Sequence, residues 1–262
     1  MSKDLEKIDT NALATIEDEW AAEAEEFAKS EALSGAGKFL HTRGGIMSWD
    51  GNPLPGNAIA AIILDGIVEN QYYSAAFDPD EPRFPACYAY GRDEASTTPH
   101  PLAPEPQSTT CASCPHNQWG SAKGGKGKGK ACSNVRRLAL LPAGRLSEDG
   151  EWTPPSVSHY ASTQLCMLKV PVMSVRLYKT YVNRVAATLK RPPYGVVTKV
   201  AIKPDPKSQF VITFEPLAPV DARLAQVLRG RRDEAMAVID APYPKREEGM
   251  PEPTSTGRKE KF

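Results

Sequence analysis

Three of the five cysteines occur in one hydrophilic stretch, CASCPHNQWGSAKGGKGKGKAC, at residues 111–132. Cys111 and Cys114 form a C-x2-C pair, the spacing at which two thiolates from one tight turn reach the same zinc ion. Cys132 follows after 17 intervening residues, a separation found between the two halves of zinc ribbons. The stretch therefore predicts one Zn²⁺ ion with a structural role, because four protein ligands leave no position open for a catalytic water.

Tetrahedral zinc needs a fourth ligand, and the candidates in the sequence are His100, Cys87, His116 and His159. His116 follows Cys114 by two residues, so its side chain would have difficulty turning back to the same ion. His100 precedes the cysteines in a proline-rich loop, and H-x10-C-x2-C-x17-C would close one compact site. Cys87 lies in a predicted strand, where a small buried thiol is an ordinary core residue. The sequence favours His100 and leaves Cys87 open as the alternative.

The residues between the cysteines, 115–131, form a lysine- and glycine-rich segment without any acid, which we call the basic finger. Both registers that approach a Walker A loop lack the Ser or Thr that would bind magnesium, which argues against a P-loop. Lysines can follow a phosphate backbone, and an exposed indole offers a base a surface for stacking. The predicted nucleic-acid contacts in the finger are Trp119, Lys123, Lys126, Lys128 and Lys130. Further rings and cations are expected from a neighbouring strand and a basic helix: Tyr72, Tyr73, Arg176, Lys179 and Tyr181.

Charge is segregated along the chain, although the formal net charge is zero. Residues 1–31 contain ten acids and three lysines, whereas residues 119–147 and 152–204 contain seven and eight cations and no acid. Such segregation favours a polyanionic partner. The longest apolar run, AIAAIIL, is too short to cross a bilayer, and no signal peptide opens the chain. We therefore expect a cytoplasmic protein with reduced thiols and no membrane partner.

Hydrophobic periodicity predicts a mainly β protein with flanking helices, of the α+β class. The expected strands lie in residues 39–51, 57–74, 86–91, 137–144 and 165–171 and in a hairpin at 194–217, with a helix at 174–190. The first strands meet no crossover helices, so a small antiparallel barrel is favoured over a βαβ sheet. The predicted domains are an acidic N-terminal helix at 1–34, a barrel domain at 35–220 with a zinc loop at about 98–135, a C-terminal helix at 221–242 and a flexible tail at 243–262.

The run CASCPHNQWGSAKGGKGKGKACSNVRRLALL follows CYAYGRDE and a PH dipeptide and precedes PPYGVVTKVAIKPDPKSQFVITFEP. Over about residues 38–220 this pattern resembles a family of bacteriophage single-stranded DNA-binding proteins. The resemblance implies an OB-like barrel that coats single strands in replication, recombination or early transcription. By position it implies His100, Cys111, Cys114 and Cys132 as zinc ligands, and Arg136 and Arg137 facing DNA. The C-terminus GRKEKF departs from the acidic tails of many such proteins, which leaves the acidic residues 1–31 as the alternative for recruiting partners.

These features predict a non-enzymatic protein that binds single-stranded DNA, in the host cytoplasm if a phage encodes it. The alternative is a zinc-ribbon interaction protein that binds RNA polymerase or another replication or transcription protein through its acidic helix. An enzyme is not expected, because the sequence offers no acidic cluster for two magnesium ions and no Ser/His/Asp or Cys/His arrangement. The sequence leaves open whether the chain forms a homo-oligomer and whether it prefers DNA to RNA.

Overall fold

The computed structural model describes residues 39–75, 84–122 and 128–243. The helix predicted at 1–34 and the tail predicted at 243–262 lie outside these residues, except for Tyr243. The strands are β1 (Phe39–Leu40), β2 (Ser48–Trp49), β3 (Asn52–Pro53), β4 (Ala58–Tyr72), β5 (Cys87–Gly91), β6 (Thr98–Pro99), β7 (Cys132–Pro142), β8 (Arg145–Leu146), β9 (Trp152–Thr153), β10 (Cys166–Val170), β11 (Val196–Asp205) and β12 (Gln209–Pro219). The helices are α1 (Val157–Ser162), α2 (Val172–Leu189) and α3 (Ala225–Val238). The prediction of a mainly β protein with flanking helices is confirmed.

The main sheet is organised around β4, which is long enough to pair with different strands in its two halves. On one side, β4 pairs with β11 along residues 58–62 and with β5 along residues 68–72. On its other side, β4 pairs with the antiparallel strand β7. A bulge interrupts the β4–β7 register between Ile63 and Asp65. At the adjacent Gly66, a Cβ atom would lie 2.8 Å from the Leu138 side chain and 3.3 Å from the Tyr178 hydroxyl, so glycine leaves room for these two side chains.

The strand order of the main sheet is β1-β10-β7-β4-β11-β12, with β5 and β6 added beside the second half of β4. All neighbours are antiparallel except β1 and β10. Among the described strands, β1 and β12 do not pair with each other, so the sheet is curled but open. The predicted hairpin at 194–217 is confirmed as β11 and β12, whereas the strand expected over 39–51 is divided into β1 and β2 by a turn at Arg43–Gly45.

The sheet is buried on both faces, which explains why the run AIAAIIL in β4 is apolar at every position. Successive side chains of a strand point to opposite faces. Leu64 and its neighbours on one face pack against α1 and α3, where Leu228 is buried. Ile63 and its neighbours on the other face pack against α2, where Val185 is buried. No helix within the described ranges is both long and apolar enough to cross a membrane.

A buried ion pair joins β4 and β7 on the face covered by α3. Glu69 is 0% and Arg137 is 3% exposed, and the guanidinium donates to both carboxylate oxygens, at 3.0 Å from Nε and 2.8 Å from Nη2. Burial raises the pKa of the Glu69 carboxyl, but the hydrogen bonds from Arg137 and the charges of Lys169 and Arg137 outweigh burial. The net pKa of Glu69 is therefore below its usual range.

The same ion pair forms hydrogen bonds with the residues that follow α3. Nη1 of Arg137 donates to the carbonyls of Ile239 and Ala241, at 3.0 Å each. The Tyr243 hydroxyl donates to Glu69 at 2.6 Å and accepts a hydrogen bond from Lys169 at 2.6 Å. The sequence places Tyr243 in the tail, whereas in the structure it belongs to this buried network.

We expect Arg137→Leu to lower the free energy of unfolding by about 3–5 kcal/mol, because it leaves the Glu69 carboxylate buried without its partner. Equilibrium urea unfolding of the full chain measures the change. The double variant Glu69→Leu/Arg137→Leu should recover part of the loss, since it removes the orphaned charge. Lys203→Met is the matched control. It breaks the exposed pair with Glu215 and should cost less than about 1 kcal/mol. Equal losses in the two single variants would contradict the prediction.

Candidate metal and nucleic-acid site

Two of the cysteines are brought together by strand pairing at one end of the sheet. Tyr72, the last residue of β4, lies opposite Cys87 on β5 and opposite Cys132 on β7. Directly opposed residues of antiparallel strands have their side chains on the same face. The two thiols therefore flank Tyr72 on one face of the sheet, the face that α2 covers further along β4.

The C-x2-C turn packs over this end of the sheet and is held there by backbone hydrogen bonds. The Cys111 amide donates to the Thr97 carbonyl at 3.0 Å. Asn117 closes the turn. Its side-chain amide donates to the Cys111 carbonyl at 2.8 Å, and its backbone N–H donates to the Cys114 carbonyl at 3.0 Å. This loop thus supplies the third and fourth thiols from the side opposite to the strands.

The four cysteines line one cavity of about 10 Å³, the thiol cavity, with Asn70 and Tyr88 among its other walls. This volume is about that of one water-sized sphere. Cys87, Cys111, Cys114 and Cys132 are all buried, and none forms a disulfide. The three thiols that the spacing predicted are thus brought together, and the fourth member is Cys87.

Three of the four sulfur atoms accept hydrogen bonds of the kind that favour thiolates. The Asn70 side chain bonds to Cys111, and the backbones of Gln107 and Gln71 bond to Cys87 and Cys132. Burial nevertheless raises the pKa of the Cys132 thiol to about 12, and the neighbouring cysteines contribute to this rise. A bound cation would remove both penalties, because a coordinating thiol is deprotonated outright.

The donor chemistry of this group fits zinc, although the four thiols do not converge on one point. No three His, Cys, Asp or Glu side chains within residues 39–75, 84–122 and 128–243 have the spacing of a formed metal centre. The observation that relates the four thiols is the cavity that they line together.

His100, the fourth ligand that the sequence favours, does not line the thiol cavity. Its ring stacks on Tyr88 with a centroid separation of 5.1 Å and meets Tyr90 edge-on at 5.5 Å. Its Nδ1 accepts a hydrogen bond from the Leu102 amide at 3.1 Å. Of the other two candidate histidines, His116 stacks on Tyr72 at 4.1 Å, and His159 contacts the Pro142 carbonyl at 3.2 Å.

The described base of the basic finger presents an exposed indole beside a lysine. Trp119 is 78% exposed, and the Lys130 ammonium lies 5.5 Å from the centre of its ring. Lys130 is held in this position by Asn117 and Asn134, to which it donates at 3.2 and 3.0 Å. Lys128 is exposed beside it. The predicted contacts Lys123 and Lys126 lie outside the described residues.

A row of polar side chains continues from the finger along β7 to α2. It consists of Lys130, Asn134, Arg136, Glu94 and Lys179, and we call it the basic row. Glu94 lies between two of its cations, since Arg136 and Lys179 both donate to its Oε1, at 2.5 and 2.7 Å. The hydrogen bonds from Lys179 and Arg136 lower the pKa of Glu94 to about 2. One ionised carboxylate thus offsets part of the charge of the row.

Two predicted DNA contacts belong to the interior instead. Arg137 is buried in its ion pair with Glu69. Tyr181 is 2% exposed, packs against Phe214 and hydrogen-bonds with Thr198. Neither side chain can reach a polynucleotide on the surface of this structure, so the prediction that they contact DNA is corrected to a role in the core.

The remaining predicted contacts differ in their accessibility. Tyr72 is half-buried beneath His116, while Tyr73 and Arg176 are exposed. Trp119 and Lys130 lie next to the thiol cavity, because Lys130 donates to Asn117, which lines it. No family model, curated protein or solved structure matches the chain, so its resemblance to phage single-stranded DNA-binding proteins stays a prediction.

Proposed function

We propose that the protein is a non-enzymatic single-stranded DNA-binding protein, which binds the strand through the basic finger and the basic row. The observation that carries this proposal is the exposed Trp119 ring with Lys130 held against it. An exposed indole makes favourable contact with a base that stacks on it, and adjacent lysines neutralise phosphates with release of counterions.

The preference for single strands follows from the shape of this contact. Stacking on Trp119 requires a base whose face is free, and the bases of a duplex are already stacked on each other. Lysines on a glycine-rich segment contact phosphates without reading base edges, so we expect little sequence preference. Coating of single strands in phage replication, recombination or early transcription is the role that agrees with these properties.

We also propose that Cys87, Cys111, Cys114 and Cys132 bind one structural Zn²⁺ ion, with Cys87 in place of His100. The shared cavity and the hydrogen bonds to the sulfurs support this set. Bound zinc would neutralise the thiolates and cross-link β5, β7 and the 111–114 turn. The basic finger would then leave the sheet from two fixed ends.

The finer fold assignment, an OB-like barrel, is likewise a proposal. Its support is the curl of the antiparallel strands around β4 and the insertion of the thiol-bearing loop between β6 and β7. The open edge between β1 and β12 and the helix α3 would be departures from a closed five-stranded barrel.

The alternative function, binding to a replication or transcription protein, is favoured by a different observation. Val172, Met173 and Leu177 on α2 are large apolar side chains that are 49%, 54% and 38% exposed. Pull-down from host lysate with nuclease treatment separates the two functions. Partners retained after nuclease and lost in Met173→Ser/Leu177→Ser support the alternative, and partners lost with nuclease support DNA binding.

Removal of the stacking ring tests the DNA-binding proposal directly. We expect Trp119→Ala to weaken binding to a single-stranded oligonucleotide by about tenfold to a hundredfold, because stacking contributes roughly 1–3 kcal/mol per base. Trp119→Phe is the control, since it retains a ring and most of the affinity. Fluorescence anisotropy over a salt series measures both. Unchanged affinity in Trp119→Ala, or a wild-type preference for duplex, would remove the proposal.

Removal of the acid from the basic row should have the opposite effect. Glu94→Gln releases Lys179, whose side chain is 52% exposed, for phosphates, so we expect several-fold tighter binding to single strands. The slope of log affinity against log salt should become steeper by about 0.7 for each additional phosphate that the row neutralises. Glu215→Gln removes an acid from the Lys203 pair on the hairpin and is the matched control, with no expected change. Weaker binding in Glu94→Gln would show that the row does not contact DNA.

Metal analysis tests the ligand set. We expect about one zinc per chain in the wild type and in His100→Gln, and loss of that zinc in Cys87→Ser. Cys87→Ser should also weaken oligonucleotide binding, because the finger loses one fixed end. A zinc-free wild type with four thiols open to alkylation would contradict the site. Retention of zinc in Cys87→Ser with loss in His100→Gln would restore the ligand set favoured by sequence.

A further inference from the structure

A second concave site lies between the start of α3, the end of β12 and the turn Pro193–Gly195 that precedes β11. Its volume is about 370 Å³, within the range of small-molecule pockets. Three arginines, Arg191, Arg229 and Arg232, line it, and we call it the arginine pocket. Arg232 contacts Leu64, which lies eight positions before Tyr72 on β4, roughly 25 Å along an extended strand.

Two of the arginines are held in place by hydrogen bonds to backbone carbonyls, which use only some of the N–H donors of each guanidinium. Nη1 of Arg191 donates to the carbonyls of Val220 and Gly195, at 2.9 and 3.3 Å. Arg232 donates from Nε to the Leu64 carbonyl at 3.2 Å, and its guanidinium carbon lies 3.9 Å from the centre of the Tyr194 ring. The remaining N–H donors of both groups have fixed positions, which reduces the entropy lost when they bind a ligand.

The positive charge of the pocket is not compensated by the described residues. None of the three guanidinium groups is within ion-pair distance of a carboxylate in residues 39–75, 84–122 and 128–243. The one acid in the lining, Asp221, is engaged by Arg223, which donates to it from Nε at 2.9 Å. Arg229 is exposed and lies one turn before Arg232 on the same side of α3.

The remaining lining indicates what kind of anion would bind. Planar guanidinium groups pair with phosphate oxygens through two parallel hydrogen bonds. Val220, Ala225 and Leu228 give the pocket an apolar wall, and Tyr194 adds a ring. A phosphate group with an attached organic part uses all of these features, whereas a bare anion uses only the arginines.

We propose that the arginine pocket binds a small phosphorylated ligand of about mononucleotide size. The phosphate contacts the three guanidinium groups, and the organic part lies against Tyr194 and the apolar wall. The site is separate from the surface proposed for DNA and does not depend on that function.

Calorimetry of the full chain with adenosine monophosphate and with inorganic pyrophosphate tests the proposal. We expect saturable binding of at least one of these probes, weakened about tenfold or more in Arg229→Gln. The Arg229 side chain donates no hydrogen bond to the residues that the structure describes, so this change should leave the thermal unfolding temperature unaltered. Arg145→Gln, an exposed arginine on β8, is the matched control and should bind as the wild type does.

The outcomes separate this site from the DNA surface. Binding of the probes that survives Trp119→Ala and fails in Arg229→Gln supports the pocket, whatever the result for DNA. Absence of saturable binding at millimolar probe, or equal binding in Arg229→Gln, overturns it. Loss of oligonucleotide affinity in Arg229→Gln without any binding of the small probes also overturns it, because the arginines would then serve the polynucleotide.

Discussion

The buried pair of Glu69 and Arg137 is the interaction on which the functional end of the sheet depends. Two charges without solvent are tolerated only in a geometry that satisfies their hydrogen bonds, and here this geometry includes the chain after α3. The pair thereby disfavours any slip between β4 and β7, since a shift by one residue would turn one partner to the opposite face. The register that holds the pair also sets Cys132 opposite Tyr72, so the core interaction positions the thiol cavity.

Side-chain alternation divides the roles of neighbouring residues along these strands. Arg137 points to the face covered by α3 and enters the interior, while Arg136 points to the other face and joins the basic row. In the same way, Glu69 belongs to the core and Asn70 lines the thiol cavity. Two adjacent arginines that look equivalent in sequence therefore lie in different environments, because the period of a strand is two.

Local periodicity predicts most of the elements, and it also indicates the burial of one ring that was expected to contact DNA. Helix α2 and the hairpin of β11 and β12 follow directly from the spacing of their apolar residues. Tyr181 lies three residues after Tyr178 and four before Val185, so the helical stripe itself indicates that it is buried. The sequence names Cys87 only as the alternative to His100, and periodicity cannot decide between the two. Cys87 meets Cys132 only because β5 and β7 both pair with the end of β4, and spacing along the chain does not encode which strands become neighbours.

The basic finger begins and ends next to the thiol cavity, because Cys114 and Cys132 line that cavity. The base of the finger is closed by two hydrogen bonds, from the Gly120 and Ala122 amides to the Gly129 carbonyl. Cys114 and Cys132 flank that base, and a metal bound between them would fix both of its ends. The entropy of ordering the base would then be lost on folding rather than on the binding of a ligand.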